Sequence, residues 1–490
     1  MRQLHAILFF CLVIALLASS CEDRLTNDPS ARIEFSADTL RFDTVFTEQG
    51  STTRVVMIYN RQREAVQIES VNASAGSRFK FNIDGEPKLE NIRNLTLRGG
   101  DSLFVFVKAY IDPQDNTSPV LIEDSVCFNV NGMQQWLHLE AYGQDVEILR
   151  KDTLRGLKVT LGGGKPYLVF DTVIVAANAT IKQGSKFYMH DNAVMIFLGN
   201  LQVEGTLEQP VVFRGDRFDN ILRDIPYDYA SGKWGGIFIL QSADMPSTMK
   251  YEINYLDIHS GMVGIFCQSE KTSNLSTLHI TNSRLHNFSA YGLVVQNMNS
   301  EIVNTEISNT ADHCVYLVGG KHTFVHNTIA NYFNDKKERV SIHSVGREDA
   351  AAVYINDLSK NQVRTEAVFT NNIISGWRKQ NIVIATALPD RYEGVFKNNF
   401  LRNDTLNTTL YPNNYYEQDT DTVFTRTYFS REEGTYYDFH LDSVSPARDI
   451  ADSLTAVKYP LDRYGNNRLE DGKPDAGCYE WLPEDFTESE

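Results

Sequence analysis

Cysteine is scarce in this chain, and its few thiols lie far apart. Of six cysteines, Cys11 and Cys21 fall in the first segment, which leaves Cys127, Cys267, Cys314 and Cys478. None has the close spacing of a thiolate metal site, and four dispersed thiols make no disulfide framework. They read as small buried hydrophobes, with Cys267–Cys314 as the one bridge to check. Positive charge is also short: 46 Lys and Arg stand against 63 Asp and Glu, a formal net charge of −17. That balance argues against nucleic acid, anionic lipid surfaces and acidic polymers as general partners. Beyond the first segment no apolar run is long enough to cross a bilayer as a helix. Tryptophan is rare, with 4 residues against 23 Tyr and 27 Phe, so aromatic abundance by itself identifies no binding surface.

What the chain does contain is a repeat. Leu278-His-Ile-Thr-Asn282-Ser-Arg-Leu285 returns 22 residues later as Ser300-Glu-Ile-Val-Asn304-Thr-Glu-Ile307. It returns again as His322-Thr-Phe-Val-His326-Asn-Thr-Ile329, Glu366-Ala-Val-Phe-Thr-Asn371-Asn-Ile373 and Gly394-Val-Phe-Lys-Asn398-Asn-Phe400. An alternating strand closed by Asn at a near-constant period is the signature of a stacked solenoid. Gly264-Ile-Phe, Gly292-Leu-Val-Val, Cys314-Val-Tyr-Leu and Ala352-Val-Tyr-Ile mark another strand of each coil. The row Asn282, Asn304, His326, Asn371 and Asn398 invites a binding role. Asn at a solenoid corner, tolerating left-handed backbone and bonding to the next coil, accounts for it more simply. Between Ile329 and Val353 the coil is longer, which places residues 333–349 outside as an excursion.

The first segment sets an expected compartment. Arg2, an uncharged apolar run from Ile7 to Ala18, then Ser19, Ser20 and Cys21 have the layout of a secretory signal. Ending in two small residues and Cys, it resembles the bacterial lipoprotein signal, although Ala18 stands where that family usually has Leu. The resemblance implies lipidation of Cys21, an outer-membrane lipid anchor, and residues 21–31 as linker. Glu22-Asp23 resembles the export tag of Bacteroidetes surface lipoproteins, which implies surface exposure; a periplasm-facing anchor is the alternative.

Residues 32–145 carry strand-length runs separated by turn signals. Among them are Thr39-Leu-Arg-Phe-Asp-Thr-Val, Arg54-Val-Val-Met-Ile-Tyr and Asp101-Ser-Leu-Phe-Val-Phe-Val-Lys108. So many short strands predict a β-sandwich. The order resembles immunoglobulin-like repeats related to major sperm protein, which implies a spacer or docking module.

From residue 150 to 443 the expectation is a right-handed parallel β-helix of about ten coils, pectate-lyase-like, giving an all-β chain. Ala179-Thr-Ile-Lys-Gln-Gly184, Leu201-Gln-Val-Glu-Gly205-Thr-Leu and Trp234-Gly-Gly-Ile-Phe-Ile239 resemble the opening coils of that family. The segment 444–482 has Ser445-Pro-Ala-Arg-Asp449, Pro460-Leu-Asp-Arg-Tyr-Gly and Pro474-Asp-Ala-Gly-Cys-Tyr-Glu480. It resembles the choice-of-anchor Q ending of secreted β-helix proteins, and residues 483–490 form a tail. The segment is expected to cap the open last coil. Asp462, Arg468, Asp475 and Glu480 would make a salt-bridged cap or hold Ca²⁺, although no compact loop supplies the six or more oxygens Ca²⁺ takes.

Chemistry is harder to find. Hydrolases of the β-helix family carry Asn-Thr-Asp, Asp-Asp and Gly-His-Gly. This chain has only Asn309-Thr-Ala-Asp312-His313. Asp312 and His313 are therefore the catalytic candidates, and an ordinary solvated turn is the simpler account of them. Tyr332, Lys336, Lys337, Arg339, Trp377, Arg378 and Lys379, with His343 and Arg347 on the excursion, form a candidate ligand patch; packing of Tyr332 and Trp377 beneath a loop is its alternative. No metal site and no soluble cofactor are implied. The reading is an envelope lipoprotein whose solenoid binds glycan or another envelope component without catalysis. The alternatives are a polysaccharide lyase or glycoside hydrolase, or a purely structural, adhesin-like protein.

Overall fold

The computed structural model describes residues 24–113, 115–222, 225–245, 248–333, 350–357, 363–386, 388, 391–404, 411, 413–428 and 436–483. Cys21 and the excursion residues Lys336, Lys337, Arg339, His343 and Arg347 lie outside the described residues. The chain divides into two compact units, Met1–Val146 and Glu147–Glu490.

The first unit is built from two sheets. Glu34–Phe35, Arg54–Tyr59, Ser102–Ala109 and Phe79–Ile83 form one antiparallel sheet. Thr39–Phe46, Met133–Gln144, Val120–Val130, Val66–Ala73 and Arg93–Leu97 form the other. In that sheet only the pairing of Thr39–Phe46 with Met133–Gln144 is parallel. Each strand alternates as its sequence does: Leu103, Val105 and Val107 point inward, while Phe104 and Phe106 point out. Residues of both sheets, Val56 and Val105 from one, Ile68 and Leu139 from the other, share one apolar cluster.

The second unit is a parallel solenoid with three walls. The first wall stacks Val194–Phe197, Gly236–Gln241, Ile265–Ser269, Leu293–Gln296, Val315–Val318, Val353–Asp357 and Ile382–Thr386. The second stacks Leu201–Glu204, Lys250–Asn254, Thr277–Thr281, Asn299–Val303, Gly320–Val325, Thr365–Thr370 and Tyr392–Lys397. Below them the long strand Thr172–Lys182 serves both walls, pairing with each through a different half. The third wall is an 11-stranded sheet running from Glu147–Arg150 to Tyr415–Tyr416. Successive coils sit one strand spacing apart, ~4.8 Å.

Inward-facing residues of equal register stack down the interior. On the second wall Val203, Ile253, Ile280, Ile302, Phe324, Phe369 and Phe396 form one such column. Its last three rings lie 4.7 Å apart in sequence, with planes 11° and 2° from parallel. Phe369→Ala removes the middle ring and is expected to cost about 3–5 kcal/mol. The check is a lower guanidinium midpoint at unchanged slope; a shift below about 1 kcal/mol would mean that the coils close over the gap.

Cys267 and Cys314 line the interior as free, fully buried thiols; Cys478 is also fully buried and Cys127 nearly so, both free. The bridge considered from sequence is therefore not made; both behave as small apolar residues.

The recurrent Asn row sits at the corner between the second and third walls. Asn282, Asn304, His326, Asn371 and Asn398 all have φ between 48° and 60°, the left-handed backbone that Asn accepts more readily than other side chains. Members of this row bond from coil to coil, Asn282 to Asn254, Asn304 to Asn282 and Asn371 to His326, and the following residue carries a second ladder. Asn327 donates to Asn372, Asn372 to Asn399 and Asn399 to Asn414, each at 2.9 Å. These interior amides satisfy one another where water cannot reach.

The outward row has a different task, and it corrects the expected capping role. The C-terminal segment runs along this corner beside coils in the middle of the stack. Asn304 donates to the Leu461 carbonyl at 2.8 Å and accepts from Arg468 at 3.0 Å. Asn371 exchanges two hydrogen bonds with the backbone of Asp452, and its carbonyl accepts from the Gly477 amide at 2.9 Å. Gly477 has φ 96°, and a Cβ there would sit 2.8 Å from Thr328 Oγ1, so only glycine lets the segment lie this close. The polar set foreseen for a cap does hold the segment together: Arg468 reaches Glu480 at 2.5 Å. Asp462 accepts from the amides of Tyr464, Asn466 and Glu480, and Asp475 from those of Asp449 and Trp481. It is a strap along the flank.

Candidate functional site

Two outer surfaces of the solenoid bring chemistry together. On the first wall, one outward register runs Ile196, Phe238, Phe266, Val294, Tyr316, Tyr354 and Val383. Phe238 and Phe266 have ring centroids 5.4 Å apart, and Tyr316 and Tyr354 stack at 5.5 Å with planes 1° from parallel. The neighbouring outward register supplies Gln268, Gln296 and Asn356. Asn356 donates to the Tyr316 hydroxyl at 2.5 Å. The result is two half-buried aromatic pairs, separated by Val294, beside a register in which Gln268, Gln296 and Asn356 stand among apolar residues such as Leu240 and Val318.

The catalytic candidates lie at the edge of this strip. His313 Nε2 is 3.1 Å from Asp312 Oδ1, and its Nδ1 is 2.8 Å from the Ala351 carbonyl. The His313 ring lies 4.5 Å from that of Tyr354. Both residues are buried, with 8 % and 3 % exposure. The pair therefore supports the strip from behind and presents little surface to a ligand.

The second candidate patch is divided. Tyr332 is enclosed in an apolar cluster with Phe424 and Phe439, and its hydroxyl is 2.8 Å from that of Ser375. Packing accounts for it, as the alternative reading held. Trp377 packs edge-on against Tyr332 and donates to its carbonyl at 2.7 Å, leaving the indole about half exposed. Lys379 pairs with Asp419 at 3.1 Å, and the Arg378 carbonyl accepts from Asn381 and Arg402.

The outer face of the third wall holds a cluster missed from sequence. Leu256–His259 puts Asp257 and His259 on one face, two residues apart. One coil on, Arg284 stands in register with Asp257 and His286 with His259; Glu306 then follows Arg284. His259 Nδ1 lies 2.9 Å from Asp257 Oδ1, and His286 Nε2 lies 3.4 Å from the same oxygen. Asp228 reaches in from the preceding loop, 2.6 Å from Arg214 and 3.5 Å from His259 Nε2. Arg284 pairs with buried Glu306 at 3.1 Å, and Tyr479 of the strap donates to Glu306 at 2.6 Å.

Charge sharing governs these groups. Burial opposes ionisation of Glu306, but Arg284, His286 and two hydroxyls hold its pKa at about 2. Burial and the Arg284 charge push His286 down to about 4. Burial disfavours charge on Asp257 too, yet the two imidazoles hold its carboxyl well below the usual range. The sequence signal was present in the lines Asp257-Ile-His259, Arg284-Leu-His286 and Glu306-Ile-Ser308. It appears only when strands are aligned coil against coil.

No family model matches the chain, and no curated protein matches it. Among solved structures, the likenesses are partial. One is a protein of unknown function from Porphyromonas gingivalis, at 14% identity, 25% of this chain, 50% of that chain and TM-score 0.18. Another is a family 123 glycoside hydrolase from Clostridium perfringens, at 6%, 23%, 25% and 0.17. A third is an ASH/PapD-like domain of human CEP192, at 14%, 26%, 96% and 0.18. The alignment spans half or less of the first of these proteins, and TM-scores this low carry no argument about function.

Proposed function

We propose that this chain is a lipid-anchored envelope protein whose solenoid, of the right-handed β-helix kind, holds a polysaccharide strand along its first wall without cleaving it there. An immunoglobulin-like first unit would serve as the spacer from an anchor at Cys21. One observation carries the reading: Phe238, Phe266, Tyr316 and Tyr354 share an outward register beside Gln268, Gln296 and Asn356. Sugar rings have apolar faces and hydroxyl rims. Flat aromatic faces with amides alongside match both, and two aromatic pairs on neighbouring coils suit successive sugars of one strand. Asp312 and His313 are too enclosed to attack such a strand. A second reading, a glycan-cleaving enzyme, is favoured by the carboxylate–imidazole pairs of the third wall.

The test is a polysaccharide panel assayed for binding and for new sugar ends, using the chain from Glu22 onward. The expected result is binding without cleavage, weakened about tenfold by Tyr316→Ala or Tyr354→Ala, equivalent to ~1.4 kcal/mol. Unchanged affinity in both variants would remove the strip from consideration. Release of new ends, lost in Asp257→Asn, would establish the enzyme instead.

A further inference from the structure

We propose that Asp257, His259 and His286 form a binding site for a divalent transition-metal ion of the zinc class, independent of the glycan strip. The three side chains offer Oδ1, Nδ1 and Nε2, and one ligand atom from each lies within 4.8 Å of the others. Two of the separations are 2.9 Å and 3.4 Å; the shorter is a hydrogen bond between His259 and Asp257, in which a metal ion would take the place of the proton. Metal–nitrogen and metal–oxygen bonds of ~2.1 Å at tetrahedral angles place neighbouring donors ~3.4 Å apart. The imidazoles are 8 % and 7 % exposed and stack with centroids 4.7 Å apart. His286 Nε2 is buried and makes no hydrogen bond, although it faces Asp257. A cation between these groups gives that nitrogen a partner.

The surroundings fit a metal as well. His259 turns its other ring nitrogen toward Asp228, at 3.5 Å, the outer carboxylate that commonly orients a metal-bound imidazole. The indole of Trp234 donates to the His259 carbonyl at 2.9 Å and fixes the strand beneath. Of the neighbouring guanidiniums, Arg284 is directed to Glu306 and Arg214 to Asp228. Two imidazoles and one carboxylate select zinc-like ions over Ca²⁺ or Mg²⁺, which require more oxygen. Three protein ligands leave a position for water or a ligand atom.

The experiment is titration of the metal-stripped chain with Zn²⁺ against a chromophoric chelator. One ion per chain is expected, with a dissociation constant below about 1 µM. His259→Gln and His286→Gln should each weaken it by about 100-fold or more, and Asp228→Asn by about tenfold. His279→Gln, at a partly buried imidazole paired with Glu301 on the second wall, should leave it unchanged. Co²⁺ added to the unaltered chain should give the visible spectrum of a four- or five-coordinate nitrogen–oxygen site, which tests the proposal even if a variant misfolds. A spectrum identical to aqueous Co²⁺, or affinity equal in all variants, overturns it.

Discussion

Replacing Arg468 by alanine is expected to loosen the C-terminal strap at a cost of about 3–5 kcal/mol, because it removes one partner of a buried ion pair. Arg468 is fully buried, with one amino group 2.5 Å from Glu480 and the other 3.0 Å from Asn304 Oδ1. Burial already pushes the Glu480 pKa up to about 8, so without the guanidinium the group keeps its proton and loses its charged partner in the same enclosed place. Faster hydrogen exchange and new protease cuts within residues 445–481 are expected, while far-UV circular dichroism of the coils stays nearly native. The partner variant separates charge from packing. Arg468→Met combined with Glu480→Leu removes both charges, and should recover most of the loss because well-packed apolar pairs replace buried ion pairs at little cost. Native-like protease resistance of Arg468→Ala alone would show that the strap is held by its apolar contacts.

The second large effect is acid sensitivity from inside the solenoid. His322 occupies an interior register otherwise filled by Leu201, Tyr251 and Leu278, with Ser300 on the coil before it. Ser300 Oγ and His322 Nδ1 are 2.9 Å apart, and His322 Nε2 is buried without a hydrogen-bond partner. Burial pushes the His322 pKa down to about 3. The folded chain thus keeps this ring neutral while the unfolded chain protonates it below about pH 6.5. More protons bound in the unfolded state mean stability that rises with pH, so this contribution is complete above pH 6.5 and is lost progressively toward pH 3. At pH 5 the loss is about 2 kcal/mol relative to pH 7. Ser300→Ala with His322→Leu should be near neutral at pH 7 and more stable than the parent chain by about that amount at pH 5. Parallel pH slopes in the two proteins would show that other groups set the acid limit. His326, also buried and held neutral, leaves some slope in either case.

The solenoid was legible because its signal is local. A strand, a left-handed Asn and a period near 22 residues can be counted along one line of sequence. The path of the C-terminal segment was not, since its anchors are pairings such as Asn304 with Leu461, 157 residues apart. Nothing near Leu461 marks which corner it meets. The third-wall cluster failed for a related reason: Asp257 and His286 meet because two coils share a register, while a search for catalytic words within one strand finds neither. The aromatic strip was hidden differently. In Val315–Val318 both faces are apolar or aromatic, and in Val353–Asp357 each face carries one polar residue, Asn356 or Asp357, so Tyr316 and Tyr354 do not announce themselves as outward.

The strap also constrains the order of events during folding. Its contacts reach back 150 residues from Cys478 to Thr328 and 173 from Tyr479 to Glu306, so none can form before those coils exist. Each coil needs only its predecessor, and the stack grows by short-range steps. Docking of the strap is then the late, high-contact-order event. Its release exposes the polar corner first, which makes the lifetime of the folded chain depend on residues 445–481 more than on the coils they cover.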